Sequence, residues 1–212
     1  MSTVTTETLI EPTAVGHWRP RVAPPSPPGA DPEAAERAAA DLLAALGLDL
    51  TNGHLADTPG RMARALLEMT TVPEFDLTTF PNDEEYDELV LVRDIPMQSL
   101  CEHHMLPFVG VAHVGYLPAD RILGLSKFAR MVTFHSRRPQ TQERLTKSIA
   151  DDLHERLRPR GVGVVIEAEH TCMSLRGARA SGATTLTSSL SGVLRDDSRS
   201  RAEFLSLTRR QP

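Results

Sequence analysis

The sequence predicts an α+β domain in which helices flank one antiparallel sheet built from two hairpins. Apolar residues recur at helical spacing in residues 31–70, 126–157 and 197–207, and they alternate with small or acidic residues along residues 162–170. These patterns follow one another in the order α-α-β-β-α-α-β-β-α. Runs of strands separated from runs of helices in this way are typical of an α+β fold.

Two helices are predicted ahead of the sheet. Asp31 followed by Pro32 is typical of an N-cap with proline at the first helical position, and this helix is expected to end near Gly47. A second helix is expected from Thr58. Residues 71–85 show neither the helical nor the strand periodicity and are expected to form an irregular connection.

The predicted strands are short apolar or alternating runs, and they cover residues 89–92, 108–116, 162–170 and 183–190. Between the second and third strands, one helix is expected from Ser126, as its N-cap, to about His135. A longer helix follows Pro139 and ends before Gly161. Asp197 is expected to cap a C-terminal helix.

The chain is predicted to hold one folded domain, residues 31–212, behind a disordered tail, residues 1–30. Proline recurs through the tail, and this composition cannot bury enough surface to offset chain entropy. Trp18 lies in this tail and is therefore not expected in the core. Within the domain, residues 31–70 form the N-terminal helices and residues 87–212 the sheet and its helices.

Composition excludes several classes of protein. The net charge of −5 argues against nonspecific binding to nucleic acid or to anionic membranes. The sequence contains no apolar run of about 18 residues, so no membrane-spanning helix is expected. The first twenty residues do not have the pattern of a secretory signal, which predicts a cytoplasmic protein with reduced thiols.

The candidate functional site is marked by cysteine, which occurs only twice. Cys101 precedes the pair His103-His104, and Cys172 follows His170 by two positions. Two thiolates and one imidazole can hold Zn²⁺ with one coordination position open, which is the composition of a catalytic site. Such an ion lowers the pKa of bound water to about 7, and the remaining histidines are suited to move protons beside it. Spacing alone does not decide between His103 and His104 as the ligand.

The cluster has other possible structural roles. His170 could be a fourth ligand of a closed structural zinc site, or the two cysteines could form a disulfide. The zinc deaminase signature and the metalloprotease motif H-E-x-x-H are both absent from the sequence. The five other histidines are interpreted as ordinary surface or core residues.

A second set of candidates could bind a polyphosphate and a purine. Cationic side chains lie close in sequence to the candidate site or on the second helix: Lys127, Arg130, Arg137, Arg138, Arg176, Arg179, Arg61 and Arg64. Charge-assisted hydrogen bonds from several of them would hold phosphate groups in the absence of a phosphate-binding glycine loop. Gln142 and Glu143 could donate to and accept from the edge of a purine.

Four motifs, in this order and spacing, closely resemble type I GTP cyclohydrolase. They are the segments CEHHMLPFVGVAHVGYLP, GLSKFARMV, RPQTQERLT and EHTCMSLRGARASGATT. The resemblance runs from about Asp31 to the C-terminus. It implies the tunnelling fold, in which a β-β-α-α-β-β unit assembles into pentameric barrels, and two pentamers stack as a homodecamer with active sites at subunit interfaces.

The resemblance also implies a reaction and a role for each site residue. GTP and water would be converted to 7,8-dihydroneopterin triphosphate and formate, at the entry to pterin and folate synthesis. The implied roles are zinc binding by Cys101, His104 and Cys172; proton transfer by His170 and His103; a part for Ser126 in the sugar rearrangement; guanine binding by Glu143 with Gln142; and triphosphate binding by Lys127, Arg130, Arg176 and a neighbouring subunit's Arg61. The alternatives are another tunnelling-fold enzyme of pterin or deazapurine synthesis, or a nonenzymatic zinc-stabilised assembly.

Overall fold

The computed structural model describes residues 16–18 and 29–209 of the chain. The helices within these residues are α1 (Pro32–Ala45), α2 (Thr58–Thr70), α3 (Ser126–Ser136), α4 (Gln142–Leu157), α5 (Thr171–Ser174), α6 (Val193–Asp196) and α7 (Ser198–Leu207). The strands are β1 (Gly16–Trp18), β2 (Leu77–Pro81), β3 (Val90–Cys101), β4 (Pro107–Leu117), β5 (Arg121–Leu123), β6 (Pro139–Gln140), β7 (Gly161–His170) and β8 (Thr184–Gly192).

The main sheet has the strand order β6-β3-β4-β7-β8. Strands β3 and β4 form one antiparallel hairpin and β7 and β8 the other, and β4 pairs antiparallel with β7 to join them. The predicted α+β class, the order of the long elements and the two hairpins are therefore confirmed. A bulge between Val92 and Ile95 shifts the register of β3, so this strand runs on to Cys101, well beyond the predicted residues 89–92.

The larger core lies between one face of the sheet and helices α3 and α4. Leu145, Ile149 and Leu153 follow one stripe of α4 and are completely buried against the sheet. Val164 and Ile166 meet them from β7, where alternate residues point to this face. The same alternation directs His170, the last residue of β7, towards the N-terminal end of α4.

A smaller apolar cluster covers the opposite face at the other end of the sheet. Phe204 of α7 is fully buried there with Leu194 and Val165. Gly163 allows this approach, because a Cβ atom at that position would lie 2.6 Å from the ring of Phe204. The C-terminal helix thus closes the end of the sheet that lies away from the two cysteines.

Several local predictions were wrong. Ser126 is the first residue of α3 and not its N-cap; Leu125 takes that position and makes no side-chain capping bond. The connection predicted over residues 71–85 contains strand β2, which pairs with β5 on one side and with Gly16–Trp18 on the other. Three residues of the tail predicted to be disordered therefore belong to a sheet, whereas the rest of residues 1–28 and the side chain of Trp18 lie outside what the structure describes.

None of the helices in the described residues is long and apolar enough to cross a membrane.

Candidate metal centre and substrate cleft

The first cysteine is held in a tight loop between β3 and β4. The amide N–H of Cys101 donates to the carbonyl of Leu106 at 2.8 Å, and the N–H of Met105 donates back to the carbonyl of Cys101 at 2.8 Å. Met105 adopts a positive φ of 54° to close the loop. The sulfur of Cys101 is therefore fixed by backbone bonds at the end of the strand.

An ion pair ties this loop to helix α4. The guanidinium of Arg144 donates to both carboxylate oxygens of Glu102, at 2.5 and 3.2 Å. The amide N–H of Glu102 also donates to the carbonyl of Gln140, just before α4. Sequence reasoning did not single out Glu102 and Arg144, because an isolated charged pair 42 positions apart carries no recognisable pattern.

The second cysteine lies in the short helix α5, which begins directly after β7. The hydroxyl of Thr171 donates to the carbonyl of Pro107 at 2.6 Å, which anchors this turn to the start of β4. Cys172 is half-buried, and its sulfur lies 3.9 Å from that of Cys101. Both cysteines are free thiols, so the disulfide alternative is excluded.

The structure brings Cys101, Cys172 and His170 together, with one potential ligand atom of each within 4.8 Å of the others. The separation of the sulfurs fits a shared metal ion, since two sulfurs bound tetrahedrally at about 2.3 Å lie about 3.8 Å apart. His103 and His104 are exposed, and Nδ1 of each lies 3.9 Å from the sulfur of Cys101. All the predicted cysteine and histidine candidates thus meet in one place.

The N-terminus of α4 adjoins this cluster. Thr141 caps the helix by accepting a hydrogen bond from the N–H of Arg144 at 3.2 Å. Gln142 and Glu143 are the first two helical residues, and they face different surroundings. Gln142 is 1% exposed, whereas Glu143 is exposed at the cleft.

The side chain of Gln142 is held by bonds within the protein. Its amide nitrogen lies 3.1 Å from the carbonyl oxygen of Ile166, 2.9 Å from that of Thr185 and 3.0 Å from the hydroxyl of Thr187. Its amide oxygen lies 2.8 Å from Nε2 of His170. The sequence predicted that Gln142 binds the edge of a purine. It did not predict these four partners within the protein.

His170 is also held by an aromatic ring. The buried side chain of Phe108 stacks on the imidazole with ring centroids 4.5 Å apart and an angle of 6° between the planes. Phe108 and His170 are directly paired across β4 and β7, which explains the contact. The pairing could have been found from the sequence only if the register of the two strands had been known.

Burial and charge shift two of these groups. Burial lowers the pKa of the His170 imidazole, and the negative charge of Glu143 partly opposes that shift. Burial raises the pKa of the Cys172 thiol, the neighbouring Cys101 raises it further, and the positive charge of Arg176 acts in the opposite sense. A metal ion would therefore have to displace a firmly held proton from Cys172.

The two cysteines, the three histidines beside them and the first residues of α4 line a cleft of about 300 Å³, which also includes Met173 and Thr185. That volume is at the lower limit for a small-molecule site. Among the described residues, several candidates for phosphate binding or catalysis do not line it: Ser126, Lys127, Arg130, Arg176 and Arg61. Arg61 instead pairs with Asp57 at 2.9 Å on the surface of α2.

Comparison with known proteins agrees with these motifs. The family model described as GTP cyclohydrolase I matches residues 35–209. A protein of Mycobacteroides abscessus named GTP cyclohydrolase 1 is 54% identical over 187 residues, which is 85% of this chain and 91% of that protein. A protein of the same name from Thermoanaerobacter pseudethanolicus is 50% identical over 183 residues, covering 84% of this chain and 96% of the relative.

Among solved structures, the archaeosine synthase QueF-Like in the apo form aligns with a TM-score of 0.41 and 19% identity. The alignment covers 49% of this chain and 93% of that one.

Proposed function

Because this chain belongs to the GTP cyclohydrolase I family, we propose that the cleft at the end of β7 is its catalytic site. Members of this family hydrolyse GTP to 7,8-dihydroneopterin triphosphate and formate, at the entry to pterin and folate synthesis. The observation that supports the location best is the meeting of both cysteines with His170 in one cleft beside Glu143. The fold brings together Cys101 and Cys172, which lie 71 positions apart in the sequence.

The ligands that we propose for zinc are Cys101, His104 and Cys172. The 3.9 Å separation of the two sulfurs supports a shared ion, and His104 is an exposed residue of the same loop as Cys101. A ring nitrogen of His170 also lies within 4.8 Å of both sulfurs, and Nε2 of this residue bonds to the side chain of Gln142. Assigning His104 to the metal leaves His170 for proton transfer. Zinc, when bound, supplies a Lewis acid that makes water nucleophilic near neutral pH.

The remaining histidines are proposed to move protons of the substrate. His170 would hold a proton at the five-membered ring of the purine, since it projects into the cleft from the end of β7. His103 is exposed in the same cleft, where it would serve ring opening and the release of formate. Ser126, exposed at the first turn of α3, is proposed to assist the later sugar rearrangement.

Guanine is proposed to bind at the N-terminus of α4. The exposed carboxylate of Glu143 lines the cleft and can accept hydrogen bonds from the amino and imino groups of guanine. Lys127, Arg130 and Arg176 are proposed to hold the triphosphate, with Arg61 from a neighbouring subunit. The electrostatic effect of Arg176 on Cys172 supports its nearness to the site.

A site completed by neighbouring subunits requires a homo-oligomer, which we propose to be a tunnelling-fold decamer of two pentamers. Strand β8 is a nine-residue edge of the sheet, and its side chain Leu186 is 64% exposed. An edge of this length is a surface on which another chain can pair. Native mass spectrometry would test the assembly, and a monomer that turns over GTP at the full rate would refute it.

The proposed location is the cytoplasm, because thiol ligands of a metal ion fit a reducing compartment.

The activity is tested by incubating the zinc-loaded protein with GTP and measuring formate and the fluorescence of the oxidised pterin. Formate in equal amount to pterin is expected. A protein that binds zinc without consuming GTP would instead support the zinc-stabilised assembly. Turnover of another pterin or of a deazapurine precursor in place of GTP would favour a different tunnelling-fold enzyme.

A further inference from the structure

The amide of Gln142 can adopt only one orientation. Its nitrogen faces the carbonyl oxygens of Ile166 and Thr185, at 3.1 and 2.9 Å, and these atoms can only accept hydrogen bonds. If the amide were turned over, its oxygen would face two other oxygens, with no proton between them. The hydrogen-bond network therefore assigns the amide oxygen to the side of His170.

The hydroxyl groups around this amide agree with that orientation. Thr146 donates its one hydroxyl hydrogen to the backbone carbonyl of Gln142 at 2.8 Å. In the 2.6 Å contact between Thr146 and Thr187, the hydrogen must then come from Thr187. The oxygen of Thr187 is consequently left to accept from the amide nitrogen of Gln142 at 3.0 Å. The amide nitrogen of Gln142 therefore faces three acceptors, which share its two hydrogens.

The orientation of the amide determines the proton on His170. Nε2 of His170 lies 2.8 Å from an amide oxygen that can only accept, so Nε2 must carry a hydrogen. The stacked ring of Phe108 holds the plane of the imidazole. Turning the imidazole over within that plane would place a C–H group at the amide oxygen and lose the bond.

We propose that Gln142 acts as a positioning residue, which holds His170 in the Nε2–H tautomer and leaves Nδ1 as the ring nitrogen that exchanges protons in the cleft. The side chain of Gln142 would then act on the reaction through His170 and would not itself read the guanine. This inference goes beyond the proposed catalytic role of His170, on which its consequence for turnover rests. A histidine partner of this kind sets both the tautomer and the direction of the ring.

Kinetics of Gln142→Met would separate positioning from substrate binding. Methionine keeps the length of the side chain and removes both the acceptor and the donors. We expect kcat to fall about 10- to 100-fold with KM changed by less than about threefold. A raised KM with unchanged kcat would show that Gln142 binds substrate, and it would overturn the proposal.

Gln140→Met is the matched control. Gln140 is also buried, at 2% exposure, and its amide nitrogen donates to the hydroxyl of Ser99 and to the carbonyl of His135. The same change there removes a buried amide two positions away without touching His170. We expect kcat to fall at least about tenfold further in Gln142→Met than in the control. Equal losses in the two variants would show a merely structural role and refute the proposal.

The tautomer can be measured directly, without zinc and without turnover. Metal-free protein labelled with ¹⁵N-histidine would be studied by solid-state NMR at about pH 8, where an ordinary imidazole is neutral. The His170 signals are identified by their absence in His170→Ala. We expect a protonated Nε2 and an unprotonated Nδ1; the opposite tautomer in the unsubstituted protein would overturn the proposal even if Gln142→Met did not fold.

The catalytic role of His170 and the positioning role of Gln142 can be refuted separately. If His170→Ala released formate at the normal rate, the proposed catalytic role of His170 would be wrong, but the measured tautomer would be unaffected. If His170→Ala were inactive and the tautomer were Nδ1–H, the role of His170 would stand and that of Gln142 would fall.

Discussion

Replacing Cys172 by serine removes one of the two sulfurs that we propose as zinc ligands. The sulfurs lie 3.9 Å apart, close to the separation of about 3.8 Å expected for two thiolates on one tetrahedral ion. The site therefore needs no rearrangement to accept zinc through these two atoms. A hydroxyl group at position 172 is a much weaker ligand, because it does not ionise near neutral pH.

The size of the effect follows from the usual affinity of such sites. Four-ligand structural zinc sites bind with about 10–16 kcal/mol, so one ligand contributes about 2.5–4 kcal/mol, or about 60- to 700-fold in affinity. Cys172→Ser should accordingly lose zinc on dialysis against a weak chelator, under conditions in which the unsubstituted protein keeps about one ion per chain. Release of formate from GTP should disappear with the metal.

The assay combines elemental analysis of zinc per chain, competition with a chromogenic chelator and release of formate from GTP. Ser174→Ala is the matched control, since it lies in the same short helix and its buried hydroxyl has no hydrogen-bond partner among the described residues. We expect this control to keep its zinc and its turnover. Unchanged zinc content and turnover in Cys172→Ser would refute the proposed ligand set.

Three further outcomes are expected. His170→Ala should keep zinc and lose formate release, because its role is proton transfer; loss of zinc in this variant would make His170 the metal ligand in place of His104. Zinc affinity should weaken as the pH falls from 8 to 6, because burial raises the pKa of the Cys172 thiol and zinc must displace its proton; affinity that does not depend on pH, measured by chelator competition, would contradict this. Gly163→Ala should destabilise the fold by about 1–3 kcal/mol in urea unfolding, because its Cβ would lie 2.6 Å from the ring of Phe204; a midpoint equal to that of Gly53→Ala, where nothing lies within 4 Å, would show that the ring moves freely.

The long elements could be predicted because each has a complete local pattern. Asp31 and Asp197 both cap helices as predicted, accepting from the N–H three residues on. The alternation along residues 162–170 correctly predicted strand β7. The extension of β3 to Cys101 was missed because the bulge after Val92 breaks the apolar pattern. Strand β2 was missed for another reason: its pairing with β5 joins residues about 40 positions apart, and neither strand is long enough to show a period.

The candidate site, like the fold, could be predicted only in part. The chemical types that could form a metal centre were evident from Cys101, Cys172 and their histidines, because thiol and imidazole groups are rare and were clustered along the chain. The stacking of Phe108 on His170 could not be predicted, since it depends on the register between β4 and β7. The four bonds of the Gln142 side chain likewise depend on how α4 packs against two strands.

The sequence by itself determined which residues are able to bind zinc and move protons, and which family the motifs resemble, because both depend on residue type and spacing alone. Only the tertiary structure decided which of these residues meet, and that the side chain of Gln142 holds a histidine. The physical reason is that hydrogen bonds and ring contacts are set by distances of a few ångströms between segments far apart in the chain. Local patterns carry no information about those distances until the strands are paired.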